Sequence, residues 1–94
     1  MFVITLRFAD KSRAPLHMQR HNEWLQRGFG EGIFLLAGAL QPEAGGAILA
    51  TGCTRTDLET RVQADPFVAE GIVTADILEI TPGRTDERLS FLKH

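Results

Sequence analysis

The sequence predicts a single α+β domain, a four-stranded antiparallel sheet with two helices on one face. Strand-length segments rich in apolar residues recur along the chain, two segments with helical spacing separate them, and glycine and proline mark the turns. The resulting order is β-α-β-β-α-β, the ferredoxin-like arrangement. A length of 94 residues is suited to one domain.

The first strand and the first helix are predicted by different periodicities. Residues 2–8 (FVITLRF) alternate between two faces and are rich in β-branched and aromatic side chains, which is typical of a strand with one buried face. Residues 16–32 instead place Met18, Leu25 and Phe29 on one stripe of a helix. Two glycines near the end of this segment disfavour helix, so we expect it to loosen or stop there.

The remaining elements follow from short apolar segments and the turn residues between them. Thr54 is a candidate N-cap, and Leu58 and Val62 then repeat at helical spacing. Proline and two glycines mark the turn that joins the two middle strands into a hairpin. In order, we predict a strand at 33–40, a turn at 41–46, a strand at 47–52, a helix at 54–64 and a strand at 71–81.

The second strand predicts a partner subunit. Apolar side chains fall on both faces of residues 33–40, although two helices on one side can cover only one face of the sheet. We therefore expect a homodimer that covers the second face. The polar tail that follows, residues 83–94, is expected to be either a short docked helix or a frayed terminus.

Composition restricts the classes of partner. The formal net charge is -2, and eight of the ten basic residues are arginines, spread from Arg7 to Arg88 without a cluster, which disfavours nucleic-acid binding. One cysteine, Cys53, allows no intramolecular disulfide and favours a reducing compartment. We recognise no signal peptide, and no apolar run approaches the roughly 20 residues that span a bilayer. The composition therefore predicts a cytoplasmic protein without a membrane partner.

Two histidines on the first predicted helix are candidates for chemistry. His17 and His21 are four residues apart and share a helix face, a spacing that can hold a metal. No third ligand or metal-binding motif accompanies them, so we predict no metal site. His21 borders the core stripe, where a partly buried imidazole is suited to general acid/base catalysis. The alternative is a histidine that only packs and forms a hydrogen bond.

The stretch QADPFVAEG places an acid, Asp65, directly before a proline. This dipeptide ends a helix and needs no further explanation on that ground alone. A carboxylate can also fix the tautomer of an imidazole and favour its charged form, which makes Asp65 a candidate partner for His21. Spacing alone does not select it, because several other acids are equally available. These are Asp10, Glu23, Asp57 and Asp76.

Gly38 is the remaining residue that the pattern singles out. A glycine inside an apolar strand indicates a bulge or a place where a ligand or a backbone segment comes close. The chain has no serine-centred nucleophile motif, no phosphate-binding glycine loop and no dinucleotide fingerprint. We therefore expect no cofactor.

Five segments in order, HNEWL, GIFLLAGAL, GGAILA, ADPFVAEGI and ILEI, resemble the YCII-related (YciI-like) family of small proteins. The resemblance covers residues 1–82 and leaves out the tail from residue 83. It implies a dimeric α/β barrel, in which two ferredoxin-like subunits pack their four-stranded sheets face to face. It also implies an active site built on a His-Asp pair, and the matching positions here are His21 and Asp65.

The resemblance and the residues together predict a small enzyme that binds a small organic molecule. His21 would act as general acid/base and Asp65 would orient it, in an elimination of the dehydrochlorinase kind or an isomerisation. We assign Gly38, Trp24 and Phe67 to the ligand pocket. Two alternatives stay open: a non-catalytic ligand-binding or accessory dimer, and a purely structural pair.

Overall fold

The computed structural model describes residues 1–93; the predicted tail, residues 83–94, includes His94, which lies outside the described residues. The regular elements alternate as the sequence predicts, with one short additional α-helix and two short 3-10 helices, at Lys11–Arg13 and Glu87–Leu92. The strands and α-helices are, in order, strand β1 (Phe2–Phe8), helix α1 (Ala14–Gly30), strands β2 (Phe34–Leu40) and β3 (Gly45–Ala50), helices α2 (Arg55–Gln63) and α3 (Pro66–Ala69), and strand β4 (Val73–Glu79).

The four strands form one antiparallel sheet in the order β2-β3-β1-β4. The first and last strands of the chain are therefore neighbours, and the β2–β3 hairpin lies beside them. This confirms the predicted ferredoxin-like arrangement. Strands β2 and β4 are the two edges.

The core lies between the sheet and the helices. On β1, Phe2, Ile4 and Leu6 are buried and the residues between them are more exposed, as expected for a strand with period two. We call the side of the sheet that carries these three residues the helix-side face, and the opposite side, which carries Val3 and Thr5, the outer face.

The buried stripe of α1 differs from the predicted one. Met18 and Phe29 are exposed, and the buried positions of this helix are Ala14, His21, Trp24 and Gly28. The prediction was wrong because it placed large apolar residues inside and treated glycine and histidine as peripheral. Leu25 is partly buried and packs against the core.

Close packing explains why the interior helix position 28 is a glycine. A Cβ atom at Gly28 would overlap the ring of Phe34 on β2, so α1 approaches the sheet more closely than any side chain would allow. The aromatic ring of Phe34 fills this space and is itself buried. The helix nevertheless continues to Gly30 before it ends, close to the predicted end.

The second half of the chain contains two helices where one was predicted. Thr54 caps α2, because its side chain accepts a hydrogen bond from the Asp57 N–H (3.1 Å). After Gln63 the chain turns, and a new helix, α3, starts at Pro66. Four residues are too few to show a helical period in the sequence, so α3 was missed.

Strand β2 contains a bulge, but not at Gly38. The register shifts between Phe34 and Leu36, and Gly38 pairs regularly with Ala47. The bulge alternative for Gly38 was therefore wrong. Gly45 and Gly46, predicted as turn residues, are the first two residues of β3.

The outer face carries an aliphatic row across all four strands. The registers align one residue from each strand at the same level. The side chains of the two edge strands are 53% exposed at Leu36 and 58% exposed at Leu78. We call these four residues the aliphatic row: Leu36, Leu49, Val3 and Leu78.

The tail after β4 contains a short 3-10 helix at Glu87–Leu92, in which Leu92 is buried. Asp86 caps it by accepting a hydrogen bond from the Arg88 N–H (2.9 Å). Within residues 1–93, no helix is long and apolar enough to cross a membrane.

Candidate functional site

His21 and Asp65 meet in the interior, although 44 positions separate them in the sequence. His21 lies in the middle of α1, and Asp65 lies at the junction of α2 and α3. The His21 Nδ1 atom is 2.7 Å from the Asp65 Oδ1 atom. His21 is 9% exposed and Asp65 is 0% exposed, so the two form a buried pair of ionisable side chains.

The residues around Asp65 explain its orientation. Proline at position 66 disfavours helical geometry in the residue before it, and Asp65 is extended, with φ -62° and ψ 125°. This geometry makes Asp65 the N-cap of α3, where Oδ1 accepts a hydrogen bond from the Phe67 N–H (3.1 Å). The same oxygen thus faces both the start of α3 and the imidazole of His21.

The second carboxylate oxygen is not used in this way. Asp65 Oδ2 is buried and has no hydrogen-bond partner among residues 1–93. Leaving a buried polar atom unpaired costs about 1–3 kcal/mol. The contacts of Oδ1 with His21 and Phe67 are the ones that hold this carboxylate among the described residues.

Aromatic rings hold the imidazole in place. The ring of Phe67 is parallel to that of His21, with a centroid separation of 4.1 Å and an interplanar angle of 3°. The Trp24 ring lies 5.9 Å from His21, at 26°. Trp24 is itself anchored, because its indole N–H donates to the Arg61 carbonyl oxygen (2.9 Å). The imidazole therefore has little freedom to rotate.

His21 also borders a cleft between α1 and the helix-side face. The cleft consists of two adjoining hollows of about 190 and 200 Å³. Both are lined by His21 together with Leu6, Gly38 and Gly46. Among the described residues that line them, His21 is the only titratable one. We call this space the His21 cleft.

The three residues assigned to the ligand pocket occupy different places. Gly38 lines both hollows of the cleft, and Phe67 lines one of them beside the imidazole. Trp24 lies behind the imidazole and lines a separate cavity of about 550 Å³, which also contains Arg27 and Cys53. The structure thus brings Gly38 and Phe67 to His21 on the cleft side, while Trp24 supports the ring from elsewhere.

Gly46 and Leu6 line the cleft but were not singled out from the sequence. Gly46 belongs to the turn predicted at 41–46, and Leu6 belongs to the strand predicted at 2–8. The signal that identifies them is strand register, since Gly46 pairs with Leu6 and therefore shares its face of the sheet. The sequence alone does not determine this register, because it depends on how distant strands pair in the folded chain.

The second histidine has a separate environment. His17 Nε2 is 3.9 Å from Glu70 Oε1, one turn of α1 away from the His21–Asp65 contact. In the part of the chain that the structure describes, no group of three or more His, Cys, Asp or Glu residues is placed to hold a metal ion. His17 and His21 therefore face two different acids.

The geometry defines a class of protein: a ferredoxin-like α+β domain with a buried His-Asp pair beside a small, mainly apolar cleft. A solved structure has the same fold: the 5-chloro-2-hydroxyhydroquinone dehydrochlorinase TftG from Burkholderia phenoliruptrix AC1100, in complex with 2,5-dihydroxybenzoquinone. The TM-score is 0.63 with 12% sequence identity, over 88% of this chain and 96% of that one. Identity this low shows a common fold alone.

The sequence matches no protein-family model and no curated protein. Membership of the YCII-related family and the dimeric barrel therefore stay predictions, while the ferredoxin-like fold of the single chain is confirmed.

Proposed function

We propose that this protein is a small enzyme that uses His21 as a general base and acid on a small cyclic organic molecule, with Asp65 as the residue that positions it. The observation that carries the proposal is the buried contact between His21 Nδ1 and Asp65 Oδ1 at the border of the His21 cleft. An imidazole held by a carboxylate on one nitrogen keeps its other nitrogen for the reacting molecule.

The direction of the hydrogen bond determines which nitrogen reacts. An ionised carboxylate only accepts hydrogen bonds, so Nδ1 donates its hydrogen to Asp65 and the lone pair of the neutral ring lies on Nε2. Nε2 would take a proton from the bound molecule. When Nε2 has become protonated, the Asp65 carboxylate stabilises the positive charge on the ring.

Dehydrochlorination fits this arrangement. The reacting form would be the keto tautomer of a chlorinated hydroxylated ring, in which the carbon that carries chlorine is tetrahedral. His21 Nε2 would remove one proton from this tautomer, the electron pair that is released would form a new π bond, and chloride would leave with the electrons of the C–Cl bond. General acid/base catalysis contributes about 10²–10⁴-fold in rate. The similar fold of a dehydrochlorinase supports this reaction class, as does a cleft whose walls are mainly apolar.

Turnover of 5-chloro-2-hydroxyhydroquinone tests the proposal. We expect His21→Gln to lower kcat by about 10²-fold or more, the scale of lost acid/base catalysis, and Asp65→Asn to lower it less. His17→Gln is the matched control, because His17 lies one turn away on the same helix and faces Glu70 instead. Equal turnover in the parent, His21→Gln and Asp65→Asn would show that the pair has no catalytic role.

A second candidate is a non-catalytic binding module. Asp65 also caps α3, so the pair has a structural role that does not depend on catalysis. In that case His21 is a polar anchor for a ligand in an apolar cleft. Recovery of a bound cyclic molecule unchanged after long incubation with the parent would favour this candidate.

We also propose that two copies associate through their outer faces. The aliphatic row leaves Leu36 and Leu78 more than half exposed in a single chain. Arg7 and Asp76 lie on the same face and are both exposed, so the face carries a charge of each sign. In a two-fold interface, the same surface patch of both copies is in contact. A patch that has an apolar row and charges of both signs suits that symmetry.

A further inference from the structure

Gly46 lies opposite α1 on the floor of the His21 cleft. In the registers, Gly46 pairs with Leu6 on β1 and with Ala39 on β2, which places position 46 on the helix-side face. His21 and Leu25 border the same space from α1. A residue without a side chain therefore lies on the helix-side face where the catalytic candidate faces it.

The backbone does not require a glycine at this position. Gly45, its neighbour, has φ +132°, and a Cβ atom there would overlap the carbonyl oxygen of Leu6, so position 45 needs glycine. Gly46 is not among the glycines with positive φ. A Cβ atom at Gly46 would meet only the Gly38 carbonyl oxygen within 4 Å, at 3.3 Å, so that carbonyl would have to move by a few tenths of an ångström.

We propose that Gly46 is a specificity-determining residue: the space left by its missing side chain admits the ring of a flat, uncharged molecule between α1 and the sheet. The inference rests on the proposed function, because it concerns the molecule that His21 would act on. A methyl group at position 46 would enter both hollows of the cleft, since Gly46 lines both.

The other residues that line the His21 cleft favour an uncharged ligand. Besides His21, the described lining residues are glycines and apolar side chains, with Asn22 as the one additional polar group. A permanently charged ligand would lose its hydration there without a charged partner, which is costly. A neutral ring with a hydroxyl group directed at His21 satisfies the cleft better.

Two probes of similar size test the effect of charge. We would titrate the parent with 4-hydroxybenzyl alcohol, which is neutral, and with 4-hydroxybenzoate, which is an anion, and follow the backbone amide signals by NMR. We expect saturable shifts at Gly46 and around His21 with the alcohol, and at least fivefold weaker binding of the benzoate. Failure of the alcohol to bind the parent, or equal affinity for both probes, would overturn the proposal.

Variants on both sides of the cleft test the role of Gly46. Gly46→Ala is expected to weaken binding of the alcohol at least fivefold, and Gly46→Val to abolish it. Leu25→Phe fills the same hollow from α1 without altering β3, and we expect the same loss even if a Gly46 variant folds poorly. Gly30→Ala, where a Cβ atom meets nothing within 4 Å, should bind like the parent. Unchanged affinity in a folded Gly46→Ala would contradict the proposal.

The turnover assay keeps this inference separate from the proposed function. If Gly46→Ala weakens binding while His21→Gln retains full turnover, the catalytic role of His21 fails and the role of Gly46 stands. If His21→Gln loses turnover while Gly46→Ala binds and turns over normally, only the role of Gly46 fails.

Discussion

Phe67 lies face to face with His21, the two rings being parallel within 3° and 4.1 Å apart. The main chain of the same residue donates a hydrogen bond to Asp65 Oδ1. One residue thus holds both members of the pair: its ring packs on the imidazole, and its N–H fixes the carboxylate. The start of α3 is therefore the element on which the site geometry depends.

Removing the Asp65 side chain should strongly destabilise the fold. Asp65→Ala removes a helix cap, worth about 0.5–2 kcal/mol, and leaves the buried Nδ1 of His21 without its acceptor. We expect a loss of about 2–4 kcal/mol in the free energy of unfolding, measured with urea. Asp86→Ala removes an equivalent but exposed cap, and a loss there of about 0.5 kcal/mol or less is expected. Equal losses in both variants would contradict a special role for the buried pair.

Two glycines of α1 should respond in opposite directions to the same substitution. Gly28→Ala places a methyl group into the Phe34 ring, and we expect at least about 1 kcal/mol of destabilisation despite the higher helix propensity of alanine. Gly30→Ala meets nothing within 4 Å and should stabilise by up to about 1 kcal/mol. Thermal unfolding of both variants measures this difference, and a stabilised Gly28→Ala would show that α1 does not need its close approach to β2.

A charge on the outer face should reduce self-association. Leu36→Lys introduces an ammonium group into the aliphatic row, where a second copy would bury it. Light scattering at micromolar concentration is expected to give the dimer mass for the parent and the monomer mass for Leu36→Lys. Leu16→Lys is the control, because Leu16 is exposed on α1, on the other side of the sheet. A monomeric parent would contradict the proposed interface.

Cys53 should react slowly with alkylating agents. Burial raises the pKa of the Cys53 thiol above its usual value of 9.0, because the thiolate loses hydration. The half-maximal rate of iodoacetamide alkylation should therefore lie at a higher pH in the folded protein than in urea. The same shift makes the free energy of unfolding depend on pH. Above about pH 9 the unfolded chain loses the thiol proton before the folded chain does, so the stability of the folded protein falls as the pH rises. Identical pH profiles in the folded and unfolded protein would contradict the burial effect.

The sheet could be predicted because each strand carries its own signal. Alternation in residues 2–8 and the proline and glycines of residues 41–46, which separate the two middle apolar segments, indicate the β-α-β-β-α-β order without any long-range information. The buried face of α1 could not be predicted in the same way. Gly28 is buried because Phe34 packs against it, and Phe34 belongs to another element.

The site depends on contacts between distant segments. The periodicity of residues 16–32 does not indicate that His21 meets an acid 44 positions later. Carboxylate chemistry made Asp65 one of several candidates, and only the resemblance to a family selected it. The Asp-Pro sequence did indicate the helix end, and the cap of α3 now explains why an acid precedes the proline. The position of Gly46 on the cleft floor could not be predicted, because it follows from the register of β3 with its two neighbouring strands.

Trp24 is the single tryptophan of the chain, and its indole is buried between the imidazole of His21 and the cavity beside Arg27. Its intrinsic fluorescence therefore originates from one position, next to the one titratable ring of the His21 cleft. Emission spectra recorded during a titration would monitor the surroundings of His21 directly, without a dye or an introduced label. The packing that restrains the imidazole thus also gives the protein a built-in optical reporter of its candidate site.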